Sequence, residues 1–309
     1  MPLHLTEADV TALLDPAGAF ASVEESLLRL AGGKVVELPR QRLAAGDGIV
    51  AAMIAADPEL GLASVKTYAW TPAGSGFVLV LYDLESGDVR AVIEADVLGR
   101  LRTAAASAVA ASRLARPDAK SLGVIGCGRQ GAAHVAALRR AVPGLESVVA
   151  YCRNRDELER FCVEHDCAPA ESHGAAGGCD VVVTATTSVD PVLRGDWLVP
   201  GALVCAVGAN NLAARELDNA VLEQASFVCT DSREQARLEA GDLVEPVERG
   251  VLDWLEVHEL HEVVGGTVQG RASDEDVVVF KSNGVPSWDL AVAARVVELA
   301  RAASAGREL

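Results

Sequence analysis

Two patterns of apolar and polar positions follow one another along this chain. In the first, helical spacing gives way to strand-like alternation. Thr6-Glu7-Ala8-Asp9 combines a hydroxyl N-cap with carboxylates in the first turn, which predicts a helix start. A second helix is expected over 17–30, ending at Gly32-Gly33. From 35 to 84 come short strand-like runs, clearest over 63–68 and 77–82, with the turn-rich segment 71–76 between them. Glu85-Ser86-Gly87-Asp88 reads as a hairpin turn into 89–93. An alanine-rich helix over 101–115 is closed by Arg116-Pro117-Asp118.

The second pattern alternates strands with helices. Strand 121–125, a glycine turn, helix 132–141, strand 147–151 and helix 155–164 come first. Strands 181–185 and 203–207, helix 214–224 and strand 227–230 follow. Such alternation predicts a doubly wound parallel sheet with helices on both faces, an α/β fold class. A last helix is expected over 288–303.

At 309 residues the chain can bury a sizeable core in two domains or one large one. No apolar stretch approaches the roughly 18 residues of a membrane span. The first residues lack a basic region and an apolar run, so no secretion signal is expected. Seven cysteines are scattered without a CxxC pair, which suits reduced thiols in a cytoplasm rather than disulfides or zinc. The six histidines are too dispersed to suggest a metal, and His134 on the helix after the glycine turn reads as a packing or solvent-facing residue. A formal net charge of -17 argues against nucleic-acid binding, which rests on clustered Lys and Arg. An acidic protein that takes anionic ligands must therefore concentrate its cations locally.

One such place is Gly126-Cys127-Gly128-Arg129-Gln130-Gly131. A lone GxGxxG is weak evidence, but this one follows an apolar strand and opens a helix. Gly126 would allow the tight turn, Gly128 would admit a pyrophosphate, and Gly131 would let the helix pack on its strand. The helix N-terminus then offers N–H groups to phosphate. About 20 residues on, dinucleotide sites that prefer NAD carry an acid. Here the segment is Tyr151-Cys152-Arg153-Asn154-Arg155, whose arginines favour the extra phosphate of NADPH, with NADH still acceptable.

Flanking residues add a resemblance. They are Leu101-Arg102-Thr103-Ala104-Ala105-Ala106-Ser107, Val207-Gly208-Ala209-Asn210, Arg215-Glu216-Leu217-Asp218, Asp231-Ser232, Glu239-Ala240-Gly241-Asp242-Leu243, Lys281-Ser282-Asn283-Gly284 and Trp288-Asp289-Leu290. In this order, from Leu38-Pro39-Arg40 to the last helix, the chain resembles the ornithine cyclodeaminase/μ-crystallin family. The resemblance implies a Rossmann domain, 116–285, inserted into a discontinuous α+β domain, 1–115 plus 286–309, that binds substrate and forms a homodimer. It also implies a nicotinamide cofactor and a small α-amino or α-imino acid substrate.

Family members grip the substrate carboxylate with basic residues, and the matching positions are Arg40, Lys66 and Arg102. Lys66 lies in the apolar run Leu62-Ala63-Ser64-Val65, where an idle lysine is costly to bury. Arg102 opens the predicted alanine-rich helix, where a cation is otherwise disfavoured. Neighbouring Arg42 is the alternative to Arg40. Asn210 could bond substrate or nicotinamide or cap a turn. Ser282 and Gly284 could line the nicotinamide end or form a plain loop, and Asp231-Ser232 reads as a helix N-cap.

Ornithine-cyclising members resemble one another in two acids, and both are missing here. Val50-Ala51-Ala52-Met53-Ile54 has alanine where a glutamate would stand, and Val207-Gly208-Ala209-Asn210 has asparagine for aspartate. Cyclodeamination needs a base for its proton shuttling, whereas hydride addition to a preformed cyclic imine asks only for orientation and a proton. The resemblance therefore implies an NAD(P)H-dependent reductase of a cyclic ketimine carboxylate, with Lys66, Arg102 and Asn210 at the reacting centre. Ornithine cyclodeaminase or an amino-acid dehydrogenase are alternatives. A non-enzymatic binder of NADPH and a small ligand is the reading from another class.

Overall fold

A three-residue strand, β1 (Leu3–Leu5), leads into α1 (Glu7–Leu13), where Thr6 and Asp9 form a reciprocal capping box. Helix α2 (Pro16–Ala31) follows, capped by Asp15 and with proline in its first turn. The alternation after residue 35 becomes four ten-residue strands, β2 (Val36–Ala45), β3 (Gly48–Asp57), β4 (Leu62–Thr71) and β5 (Gly74–Asp83), then β6 (Val89–Glu94). The strands outrun the predicted 63–68 and 77–82 because Thr71 pairs with Gly74, so only Pro72 and Ala73 form the turn.

The alanine-rich helix α3 (Asp96–Leu114) starts earlier than expected. The computed structural model describes residues 1–309, apart from the side chain of Ala45, and divides into two compact units. One unit is Met1–Arg102 with Gly284–Leu309, the other Thr103–Asn283. The division thus falls inside α3, rather than after the helix at 115, and the return falls at 283/284 rather than 285/286.

The second unit opens with β7 (Ser121–Ile125), α4 (Arg129–Ala141), β8 (Ser147–Tyr151), α5 (Arg155–His165), β9 (Ala168–Pro169), α6 (His173–Gly177), β10 (Val181–Thr184) and β11 (Leu203–Ala206). It continues with α7 (Asn219–Gln224), β12 (Ala225–Thr230), α8 (Arg233–Glu239), α9 (Gly241–Glu248), β13 (Val257–Glu259), α10 (Leu260–Val264) and β14 (Val277–Lys281). All pairings are parallel, in the order β13-β12-β14-β11-β10-β7-β8-β9. The order reverses at β7, the switch point beside which doubly wound sheets bind ligands.

Several elements of this unit, among them β9, α6, α9, β13 and α10, lie outside the predicted pattern, and two further differences concern 214–224 and β14. The helix expected over 214–224 forms only from Asn219, because Asp218 caps it and Glu216 is drawn to neighbouring strand ends. Strand β14 lies outside the predicted elements, although Val277-Val278-Val279-Phe280 is an apolar run of the length of a buried parallel strand.

Back in the first unit, α11 (Pro286–Ala303) and β15 (Arg307–Glu308) complete the chain. The first sheet runs β15-β1-β6-β5-β4-β3-β2, and α11 packs against α2 and on β2, β3, β4 and β5. On the sheet's other face Val36, Leu38, Val50, Ile54 and Val78 are exposed. No helix is long and apolar enough to cross a membrane among the described residues.

Candidate active site

The glycine turn joins β7 to α4. Gly126 has φ +116°, and a Cβ there would lie 2.4 Å from Ala185 O, so no other residue fits the turn unstrained. Gly131 approaches as closely, since a Cβ on it would lie 2.1 Å from Gly126 O. Gly128 is the exposed N-cap of α4 and has open space where a side chain would project. Arg129 is exposed beside it. Gln130 Oε1 is buried without a hydrogen-bond partner among the described residues, and rotation of that amide would turn a donor to the same place. An uncapped helix end with room in front of it fits a dinucleotide pyrophosphate.

The other expected cofactor residues are placed unequally. Arg153 is exposed directly beyond the end of β8, and its charge helps burial lower the pKa of His173. Arg155 pairs with Glu159 at 3.2 Å on the surface. The Asn154 side chain is occupied, accepting from the amides of Asp156 at 3.0 Å and Glu157 at 3.2 Å as the cap of α5. Ser282 is buried and donates to Asp231 Oδ2 at 3.1 Å, so its hydroxyl ties the end of β14 to that of β12. Ser232 caps α8. Asn210 is exposed on the loop after β11. His134 is fully buried, with Nδ1 2.7 Å from Gln130 O and Nε2 3.0 Å from Ser107 Oγ, and burial lowers its pKa to about 4.

In the first unit the three predicted carboxylate ligands come together around an acid. Lys66 projects from the middle of β4 on the face that α11 covers, and Asp289 descends from α11. Lys66 Nζ and Arg102 Nε both donate to Asp289 Oδ1, each at 2.9 Å. Arg40 reaches the group through Gly284, whose carbonyl accepts from Arg40 Nη2 at 3.0 Å. Gly284 has φ +82°, and a Cβ on it would lie 2.4 Å from Arg102 Nη1. The pairing in β2 slips by one residue between Leu38 and Gln41, and this bulge at Pro39-Arg40 bends and twists the strand beneath Arg40. Arg40 is buried, whereas Arg42 is exposed.

Two cations, Lys66 and Arg102, share one carboxylate oxygen, and Arg40 lies close enough to act on Lys66. Burial pushes the Lys66 ammonium down to about 8, Arg102 and Arg40 add to the fall, and Asp289 opposes it. Burial works against the Asp289 charge too, but Arg102 and Lys66 outweigh it and hold the carboxyl below its usual range. Arg102 Nη1 and Asp289 Oδ2 are buried without hydrogen-bond partners among the described residues. A planar carboxylate would satisfy the open guanidinium nitrogen, which is what such forks bind best.

Arg102 does not open its helix, contrary to the sequence expectation, because the helix begins at Asp96. The guanidinium is held by Asp289, not by need of a ligand at a helix terminus. Sequence reasoning assigns no role to Asp289, although it stands in the motif around Trp288. The signal for it is weak, since an acid in the first turn of a helix is ordinary, and only the apolar run Leu290-Ala291-Val292-Ala293-Ala294 behind it marks a buried setting.

The ornithine cyclodeaminase/mu-crystallin family profile matches residues 2–304. The chain belongs to this family. Alanine dehydrogenase of Archaeoglobus fulgidus is 32% identical over 330 residues, covering 99% of this chain and 98% of that protein. Ketimine reductase mu-crystallin of Mus musculus is 34% identical over 223 residues, 71% of this chain and 67% of the relative. Among solved structures, Thermococcus litoralis Delta(1)-pyrroline-2-carboxylate reductase in complex with NADH and L-proline matches with a TM-score of 0.94 at 28% identity, covering 99% of this chain and 100% of that one. In this family member, then, a nicotinamide dinucleotide is the ligand class that the glycine turn should be tested against.

Proposed function

We propose that this chain is a nicotinamide-dependent imine reductase, converting a cyclic ketimine carboxylate such as pyrroline-2- or piperideine-2-carboxylate into the cyclic amino acid. The observation that carries the reading is the buried group in which Lys66 and Arg102 share one acid, Asp289, with Arg40 held beside them on the Gly284 carbonyl. The Thermococcus relative, a pyrroline carboxylate reductase of the same fold, supports it.

A bound reduced nicotinamide supplies the hydride. Gly126, Gly128, Arg129, Gln130 and Gly131 hold the pyrophosphate, and Arg153 meets the 2′-phosphate that makes NADPH the preferred form. Asn154 contributes as the cap that fixes α5, and Ser282 by holding the end of β14 in place. Arg40 and Arg102 orient the substrate carboxylate. Lys66 adds a third contact and carries a proton that its lowered pKa lets it release to the imine nitrogen near neutrality. Asn210 hydrogen-bonds the substrate or the nicotinamide, where an aspartate could have acted as a base. Losing such a base costs about 10²–10⁴-fold in reactions that need one, which disfavours ornithine cyclisation.

The exposed apolar face of the first sheet supports a homodimer, since a second copy would cover it. Its free cysteines suit a reducing cytoplasm.

The end-to-end match with the Archaeoglobus alanine dehydrogenase favours one second reading, open-chain amino-acid oxidation. The assay that decides is NADPH and NADH oxidation with the two cyclic imines, beside pyruvate with ammonia, and reduction of NAD(P) with alanine or ornithine. Rapid turnover of a cyclic imine is expected. Turnover of ornithine or alanine alone would overturn the proposal.

A further inference from the structure

Glu216 lies between β11 and α7 with no exposed surface, and its carboxylate takes four hydrogen bonds. Oε1 accepts from the Thr186 amide at 2.7 Å and the Thr186 hydroxyl at 2.8 Å. Oε2 accepts from the Thr184 hydroxyl at 2.9 Å and the Gly208 amide at 2.6 Å. Every donor sits at or just beyond the carboxyl end of β10 or β11. Burial pushes the Glu216 carboxyl up, and Lys281 opposes it.

Two further buried charges extend the arrangement. Asp242 Oδ1 accepts from the amides of Glu216 at 2.7 Å and Leu217 at 2.9 Å. Its other oxygen lies 3.0 Å from Lys281 Nζ, which also donates to Ala209 O. There is no slack around Gly208, where a Cβ would lie 2.4 Å from both Glu216 Oε1 and Thr186 O.

Stability alone is a poor reason for such a group. Buried ion pairs are often no better than apolar packing of the same volume. Glu216 and Lys281 instead send their bonds to the loops that leave β10 and β11, and Asp242 ties the two together, next to the switch point, where parallel sheets place ligands. The Ala209 carbonyl held by Lys281 immediately precedes Asn210.

We propose that Glu216, Asp242 and Lys281 are positioning residues that hold loops 185–188 and 207–210 in the shape that receives the nicotinamide half of the dinucleotide. The proposal rests on the nicotinamide-dependent reading above. None of the three touches the cofactor. Glu216 acts through Thr186 and Gly208, Lys281 through Ala209, and Asp242 by holding the Glu216 amide and the Lys281 ammonium.

The test separates the two halves of the ligand. Calorimetry measures binding of NADPH and of ADP-ribose, which lacks nicotinamide, to the wild type and to Glu216→Gln, with thermal melting beside it. An amide can accept from only part of the present donor set, so NADPH binding should weaken about tenfold or more. ADP-ribose should stay within about twofold, as for an independent site. The emission change of reduced nicotinamide on binding should shrink in the variant at saturation. Should Glu216→Gln not fold, Thr184→Val removes one donor and should move the same ratio less far. Equal losses for both probes, or an unchanged ratio, would overturn the proposal. A wild type that binds neither probe would instead sink the dinucleotide reading, and this proposal with it.

Discussion

Lys66 Nζ and Asp289 Oδ1 lie 2.9 Å apart, both buried, the lysine on a strand and the aspartate on a helix 223 residues away in sequence. The same oxygen takes Arg102 Nε. Removing one partner of a buried ion pair leaves an uncompensated charge and costs about 3–5 kcal/mol. Asp289→Ala should therefore lower stability by about that much in urea unfolding, and Asp289→Asn by less. Both should weaken use of the imine substrate, because Lys66 and Arg102 lose the group that fixes them. Wild-type stability in Asp289→Ala would show that the pair is idle.

The lowered pKa of Lys66 gives two pH effects of known sign. A proton donor is lost on deprotonation, so kcat/KM for imine reduction should fall as pH rises through about 8. Lys66→Arg stays charged, and its profile should lose that descending limb even if its rate is low. For folding, the native state holds fewer protons than the unfolded chain between about 8 and the ordinary 10.5. Stability from this group is thus fully present above 10.5 and is lost as pH falls toward 8. A wild-type and Lys66→Met comparison of urea midpoints across that window checks the sign.

Gly284→Ala meets two obstacles, a left-handed backbone angle and the Arg102 guanidinium at 2.4 Å. A loss of about 1–3 kcal/mol is expected. The KM for the imine should rise more than the KM for the cofactor, since the same carbonyl also holds Arg40. Chemical unfolding and steady-state kinetics read the two effects separately.

Cofactor preference should follow Arg153. Losing a charge-assisted contact to the 2′-phosphate should weaken NADPH about tenfold in Arg153→Ala while NADH stays nearly unchanged. Titrating both cofactors by fluorescence gives the ratio. An unmoved ratio would take the 2′-phosphate away from this residue.

Association of two copies through the open sheet face predicts that Ile54→Asp is more monomeric than the wild type. Ile54 pairs across the sheet with Leu38 and Val65 and is 39% exposed, so a charge there meets the middle of the apolar patch. Light scattering after size exclusion shows the mass directly.

How much of this is legible in the sequence depends on distance along the chain. The glycine turn, its strand and its helix are local, so Gly126 to Gly131 can be read from their spacing together with the strand before and the helix after. The cations are readable from their setting, since a lysine among apolar residues needs a reason. What they meet is not, because Asp289 reaches Lys66 only after α11 folds back over β4. Glu216 misleads for a similar cause. Its neighbours have helical spacing, yet the unpaired donors at the ends of β10 and β11 win the carboxylate, and the helix waits for Asp218. Arg40 and Arg42 look alike in sequence, and only in the fold does Arg40 lie buried against the Gly284 carbonyl while Arg42 is exposed.

That bulge makes the length of β2 a functional quantity. Deleting Pro39 would make the pairing regular from Leu38 onward and leave Arg40 alone opposite Met53, on the same covered face but without the bulge's local bend and twist beneath the guanidinium that now bonds Gly284. The shortened protein should fold nearly as well as the parent yet grip its acid poorly. One supernumerary residue in an edge strand thus sets the aim of a binding group, and a census of residue types would never reveal it.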